Sequence, residues 1–125
     1  MTKKIYLYCP AYYKSGGPEL MHQLFFVLKK QKKDVVMVYW GLDKNVKLPA
    51  CHPDFLKYMC GDKWMEFKDI EDNRENILII PEVKISILKK VNFLKKIVWW
   101  LSVDNYLAHN SFDDIRKIKG LKYAF

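Results

Sequence analysis

The sequence predicts an α/β fold: one domain over residues 1–125, a three-layer sandwich whose mostly parallel sheet of four or five strands has helices on both faces. Three observations predict it. The runs KIYLYC, VVMVYW, NILIIP and KIVWWL are continuously apolar, as strands covered on both faces are, rather than alternating. A helix-period stripe separates the first two runs, which makes them a βαβ unit with a right-handed crossover. A chain of 125 residues is one compact unit, and at this size it buries about two-thirds of its unfolded surface, enough for a core without disulfides or metal.

Lys4 to Cys9 reads as the first strand, closed by Pro10. PAYYKSGG follows, and Pro18 is expected at the first helical position, where its missing N–H costs nothing, with Glu19 favoured by the dipole in the first turn. Leu20, Met21, Leu24, Phe25 and Leu28 recur at three and four and form the expected buried stripe, which ends in KKQKK. His22 is expected on the flank of that stripe. Val35 to Trp40 is the second strand, stopped by Gly41. The segment Leu42 to Asn76 is broken by Pro49 and Pro53; HPDFLKYMC suggests a helical turn and Trp64 to Phe67 a weak edge strand. Asn76 to Pro81 is a buried strand, Lys84 to Val91 a short helix, and Lys96 to Leu101 another buried strand, in which Trp99 and Trp100 face opposite layers. Ser111 to Lys119 suggests a last helix, capped by Ser111 or Asn110 and stopped by Gly120; Leu121 to Phe125 then begins a strand, so the domain is expected to run on past the last residue.

The charge is 22 basic against 14 acidic residues, and Arg74 and Arg116 are the only arginines. Sequence-specific nucleic-acid readers use the planar guanidinium fork, so this lysine-dominated balance speaks against one. Lys29/Lys30, Lys32/Lys33, Lys89/Lys90 and Lys117 with Lys119 fall where helices end and complement their dipoles; they also suit a peripheral contact with anionic lipid at the inner face of a membrane. Cys9, Cys51 and Cys60 form no CxxC pair, which argues against a disulfide framework or a zinc knuckle and for a reducing cytoplasm. Cys51-His52 lacks a third ligand at zinc spacing. The apolar run after Lys3-Lys4 is too short for a signal peptide or a membrane span.

In open parallel sheets ligands bind beyond the carboxyl ends of the strands. Four segments lie there: Pro10 to Gly17, Gly41 to Asp43, Pro81 with Glu82, and Ser102 to Tyr106. Ser15, Gly16 and Gly17 offer a permissive backbone and bare amides for a phosphate or a sugar hydroxyl, or else a tight turn that needs glycine. The segment is neither GxGxxG nor a P-loop. Asp104 and Asn105 are polar residues after a buried strand, either ligand contacts or a turn. Glu82 is a ligand contact or a first-turn carboxylate, and His109 a further loop histidine.

Together IYLYCPAYYKSGGPELMHQL, ENILIIPEV and KKIVWWLSVDNY resemble the N-terminal half of bacterial glycosyltransferases of cell-surface polysaccharide synthesis, enzymes of the GT-B architecture with two Rossmann-like domains. The resemblance runs from about Lys3 to Tyr106. It implies a Rossmann-like domain on the acceptor side of a cleft that holds a nucleotide-sugar and a saccharide or lipid-linked acceptor. Gly16 and Gly17 match the loop that approaches the donor phosphates or the transferred sugar. Asp104 matches a proton acceptor, Ser102 and Asn105 acceptor contacts, and Glu82 a weaker cleft-facing residue. The glutamates at 19, 66, 71, 75 and 82 do not form the pair eight positions apart that such enzymes carry in their second domain, and there is no Asp-x-Asp. No metal or other cofactor is therefore expected, and the chain is expected to be inactive without a C-terminal domain or partner chain. The alternative is a non-enzymatic flavodoxin-like module that binds a nucleotide or a partner; a charge-driven nucleic-acid binder ranks last.

Overall fold

The computed structural model describes residues 3–58 and 63–100, and the backbone of a strand at 121–124. Among the described residues the strands are β1 (Lys4–Pro10), β2 (Asp34–Trp40), β3 (Trp64–Met65), β4 (Ile77–Pro81), β5 (Lys95–Trp99) and β6 (Leu121–Ala124), with one α-helix, α1 (Gly16–Lys30). Short 3₁₀ segments occupy Pro53–Tyr58, Phe67–Asp69 and Glu82–Lys90. All strands pair in parallel in the order β3-β2-β1-β4-β5-β6. The sheet thus has six strands rather than the expected four or five, because both marginal segments, Trp64–Met65 and Leu121–Ala124, join its edges. This is the strand order of a Rossmann sheet.

The order explains the continuous hydrophobicity of the strands. The chain winds outward from β1 to β3, then returns past β1 to begin β4, and right-handed crossovers put the connections of the two halves on opposite faces. Successive side chains of β1 therefore enter different cores. Leu7 and Cys9 pack with Met21, Phe25 and Phe55 under α1, whereas Tyr6 and Tyr8 pack with Leu78, Ile85 and Leu88 under the 82–90 segment. Trp99 and Trp100 likewise divide between the two layers.

Three local expectations are corrected. α1 begins at Gly16, so Pro18 lies third in the helix, still within the first turn where amides have no helical acceptor. Its buried seam is Pro18, Met21, His22 and Phe25, while Leu20 is 41% exposed. The seam is turned toward His22 because Tyr39 of β2 and the Pro18 carbonyl offer that imidazole hydrogen bonds. After β4 the short helix expected over Lys84 to Val91 starts two residues earlier, at Glu82, and is a 3₁₀ segment kinked at Lys84. Glu82, Ile85, Leu88 and Val91 are all buried, and a repeat of three stacks on one side of a 3₁₀ turn, not of an α-helix. The helix expected at Ser111–Lys119 lies outside the described residues.

α1 ends with Lys32 in the left-handed region at φ 60, donating to Lys29 O at 2.9 Å while Lys33 donates to Leu28 O at 3.0 Å. This is a Schellman closure, with lysine where glycine is usual. Lys32→Gly is expected to raise stability by about 0.5–1 kcal/mol, read from the urea midpoint, since the Cβ penalty exceeds glycine's entropic cost.

Candidate functional site

The strand order reverses between β1 and β4, so their carboxyl ends diverge and leave a crevice between them. A cavity of about 250 Å³ lies there. β1 contributes Tyr8, Cys9 and Pro10; the following loop and helix start contribute Tyr13, Ser15, Gly17 and Pro18; β2 contributes Trp40; and the turn after β4 contributes Pro81, Glu82 and Val83. Three residues expected from the sequence, Ser15, Gly17 and Glu82, thus line one cavity. Gly16 stands beside it in the first turn of α1. Ser102, Asp104, Asn105 and His109 lie outside the described residues.

The chain reaches the crevice through a fixed loop. Ala11 N–H donates to Trp40 O and Tyr12 N–H to Ala50 O, both at 2.8 Å, and Tyr12 itself adopts φ 60. The reversal out of β1 is therefore made at Tyr12, a bulky residue for which this conformation is a true outlier. Neither Gly16 nor Gly17 has a positive φ; among the described glycines that belongs to Gly41. Of the two readings of the segment, the tight turn that needs glycine is thereby not the one the backbone shows. A Cβ added at Gly16 would meet nothing within 4 Å, so neither conformation nor internal packing requires glycine there.

Polar groups line one side of the crevice and an aromatic pair the other. Glu19 N–H donates to Ser15 O at 3.1 Å as the first helical hydrogen bond, which leaves the Gly16 and Gly17 amides without a helical acceptor at the positive end of the dipole. The Ser15 hydroxyl makes no capping bond. Across from them Glu82 is 1% exposed. Tyr8 and Trp40 form an aromatic wall with ring centroids 4.6 Å apart and planes at 46°. Lys84 Nζ sits 5.0 Å from the Trp40 centroid. Burial pushes the Tyr8 phenol up, so it stays neutral. Burial, with Cys51 nearby, pushes the Cys9 thiol far up, and its sulfur is packed under α1 beside His22, so it is no thiolate nucleophile.

Behind the crevice His22 joins α1 to the sheet. Its Nδ1 is 2.7 Å from Pro18 O, an acceptor, so Nδ1 carries the proton, and Nε2 accepts from Tyr39 Oη at 2.8 Å. The ring stacks on Phe55 at 4.7 Å. An exposed ion pair between Lys14 and Asp54 ties the loop before α1 to the Pro53–Tyr58 turn. A second hollow, about 380 Å³, lies off the switch point between Tyr12, Asp43, Lys47 and Cys51.

Comparison with family models, with curated proteins and with solved structures gives no match.

Sequence reasoning named Ser15, Gly17 and Glu82 of this lining and the segment that holds Tyr13, but singled out neither Tyr13 nor the two wall residues Tyr8 and Trp40. The signal for two of them was available: Tyr8 and Trp40 sit near the carboxyl ends of strands, where the fold class places ligands. Among the described residues no three His, Cys, Asp or Glu side chains are grouped to hold a metal ion, and no helix is long and apolar enough to cross a membrane.

Proposed function

We propose that this chain is the N-terminal, acceptor-side domain of a nucleotide-sugar-dependent glycosyltransferase, and that its crevice receives the sugar being transferred, with the phosphate end toward α1. The carrying observation is the convergence of Ser15, Gly17 and Glu82 with an aromatic wall at the strand-order reversal, beside a glycine that the fold itself does not require. Amide donors and a hydroxyl suit a phosphate or sugar oxygen, a carboxylate accepts from sugar hydroxyls, and an aromatic face packs against the apolar side of a sugar ring. The volume, about 250 Å³, is below the roughly 300–1,000 Å³ of sites that enclose a whole cofactor-sized ligand. One sugar with its phosphate fits that space; the rest of a nucleotide would be held by a second domain or partner chain. Asp104, with Ser102 and Asn105 after β5, is assigned the acceptor hydroxyl and its proton, and Asp104→Asn in the complete enzyme is expected to lower turnover without lowering the urea midpoint.

The direct test separates stability from binding. Gly16→Ala removes backbone entropy from the unfolded chain and meets no steric obstacle, so it is expected to leave stability unchanged or raise it by about 0.4–1 kcal/mol. Its methyl group would stand where a ligand approaches the amides, so it should also weaken binding of nucleoside diphosphate sugars and sugar 1-phosphates, by about tenfold if the close approach of one charge-assisted contact is lost. Both are read from one set of amide NMR titrations and urea curves. Equal binding of the free nucleotide, with no contribution from the sugar, would instead identify a nucleotide-binding module. Binding unaffected by Gly16→Ala and by Trp40→Ala would remove the crevice from the site.

A further inference from the structure

The described charge is unevenly divided between the two ends of the sheet. Register places the amino ends of the strands in one row: Lys4 is beside Asp34, and Ile5, Ile77 and Lys95 are level across β1, β4 and β5. Lys3 and Lys4 enter this edge with β1. Lys29, Lys30, Lys32 and Lys33 reach it at the end of α1, Arg74 just ahead of β4, and Lys89, Lys90 and Lys95 around the start of β5. These ten basic residues face four acidic ones, Asp34, Glu71, Asp72 and Glu75. Of the four, Glu71 pairs with Lys4 and Asp72 accepts backbone N–H groups. The carboxyl end of α1 attracts about half a charge, so its dipole offsets only part of this excess.

The same edge presents an aromatic side chain by construction. In Lys89-Lys90-Val91-Asn92-Phe93-Leu94-Lys95, Val91 and Leu94 are anchored in the core while Phe93 between them is 58% exposed. The loop is held in that shape by Asp72, whose carboxylate accepts from the Asn92, Phe93 and Leu94 amides at 2.8–3.0 Å. A phenylalanine held outward among lysines has the two components of interfacial membrane binding, an apolar insertion and attraction to anionic headgroups.

We infer that the amino-end edge of the sheet docks on an anionic phospholipid surface, with Phe93 inserted and the surrounding lysines over the headgroups. The prevalence of lysine, with Arg74 the one arginine in the set, favours this diffuse attraction over the bidentate contacts of nucleic-acid recognition. The inference stands independently of the sugar site, which lies at the other end of the strands. β1 has seven residues, so the crevice is held about 20 Å above the lipid and faces away from it.

The test is sedimentation of the chain with vesicles of phosphatidylcholine alone and of phosphatidylcholine mixed with phosphatidylglycerol. The chain is expected to bind the anionic vesicles alone, with affinity that falls as salt rises. Lys90→Gln with Lys95→Gln should lower the partition coefficient roughly 25-fold, at about fivefold per lysine. Phe93→Ala should lower it about tenfold and leave the salt dependence unchanged. All three side chains are exposed, and an unchanged urea midpoint verifies folding of each variant. No binding to phosphatidylglycerol vesicles at low salt would overturn the inference. So would binding that ignores Phe93→Ala, or tighter binding to single-stranded oligonucleotides than to vesicles, which would make the edge a polyanion site.

Discussion

His22→Ala is expected to lower the stability of the chain by about 3 kcal/mol in urea denaturation. The imidazole is fully buried and joins three elements: it donates to Pro18 O in the first turn of α1, accepts from Tyr39 of β2, and stacks on Phe55 of the 53–58 turn. Alanine removes both hydrogen bonds and leaves a ring-sized void beneath the helix. His22→Phe fills most of the void and loses only the hydrogen bonds, so it should cost about 1–2 kcal/mol. A Phe variant no better than the Ala variant would show that the bonds, not the packing, hold the helix start in place.

The same residue sets a pH dependence. Burial lowers the His22 pKa from its ordinary 6.5, more than the Pro18 carbonyl raises it. Below pH 6.5 the unfolded chain therefore binds a proton that the folded chain refuses, and stability rises with pH across that range. The contribution is fully present above pH 6.5 and is lost as pH falls toward the lowered folded value. Urea midpoints measured between pH 7.5 and 5 should fall for the wild type and fall less for His22→Phe; parallel curves would assign the acid sensitivity elsewhere.

His22 also shows where sequence reasoning reaches its limit. Periodicity alone ranked Leu20 above His22 for the buried face, because hydropathy is visible in the sequence and the Tyr39 hydroxyl waiting on a different element is not. The strands were legible for the opposite reason. Burial on both faces writes itself as an unbroken apolar run, and β1, β2, β4 and β5 begin and end within one residue or two of their expected limits. Order across the sheet follows only once crossovers are right-handed, and it is this order that brings Glu82, after β4, to Ser15 and Gly17, after β1. Their meeting was foreseeable from the carboxyl-end rule. That Tyr12 rather than a glycine makes the left-handed turn was not, since the conformation is imposed by the Trp40 and Ala50 carbonyls on distant segments.

Asp72→Ala is expected to cost about 2–3 kcal/mol, although Asp72 lies in a loop far from the crevice. Its Oδ1 accepts from the Phe93 and Leu94 amides at 2.9 and 3.0 Å and its Oδ2 from Asn92 at 2.8 Å. Burial opposes its charge, but the three amides, with Lys96 adding attraction, hold the carboxyl below its ordinary 3.8. The contribution is therefore present above about pH 3.8 and is lost as pH falls through the lowered value, so the variant should lose part of the acid limb of its stability profile. Asp72→Asn retains an oxygen for two of the amides and presents an NH₂ to the third, and is expected to cost less, about 1–2 kcal/mol. Hydrogen exchange at Asn92, Phe93 and Leu94 checks the assignment, since those amides should lose protection in the Ala variant while β1 and β2 retain theirs. Because Asp72 fixes the loop that presents Phe93, the Ala variant should also weaken binding to anionic vesicles with its lysines intact. Undiminished vesicle binding would show that Phe93 needs no fixed loop to act.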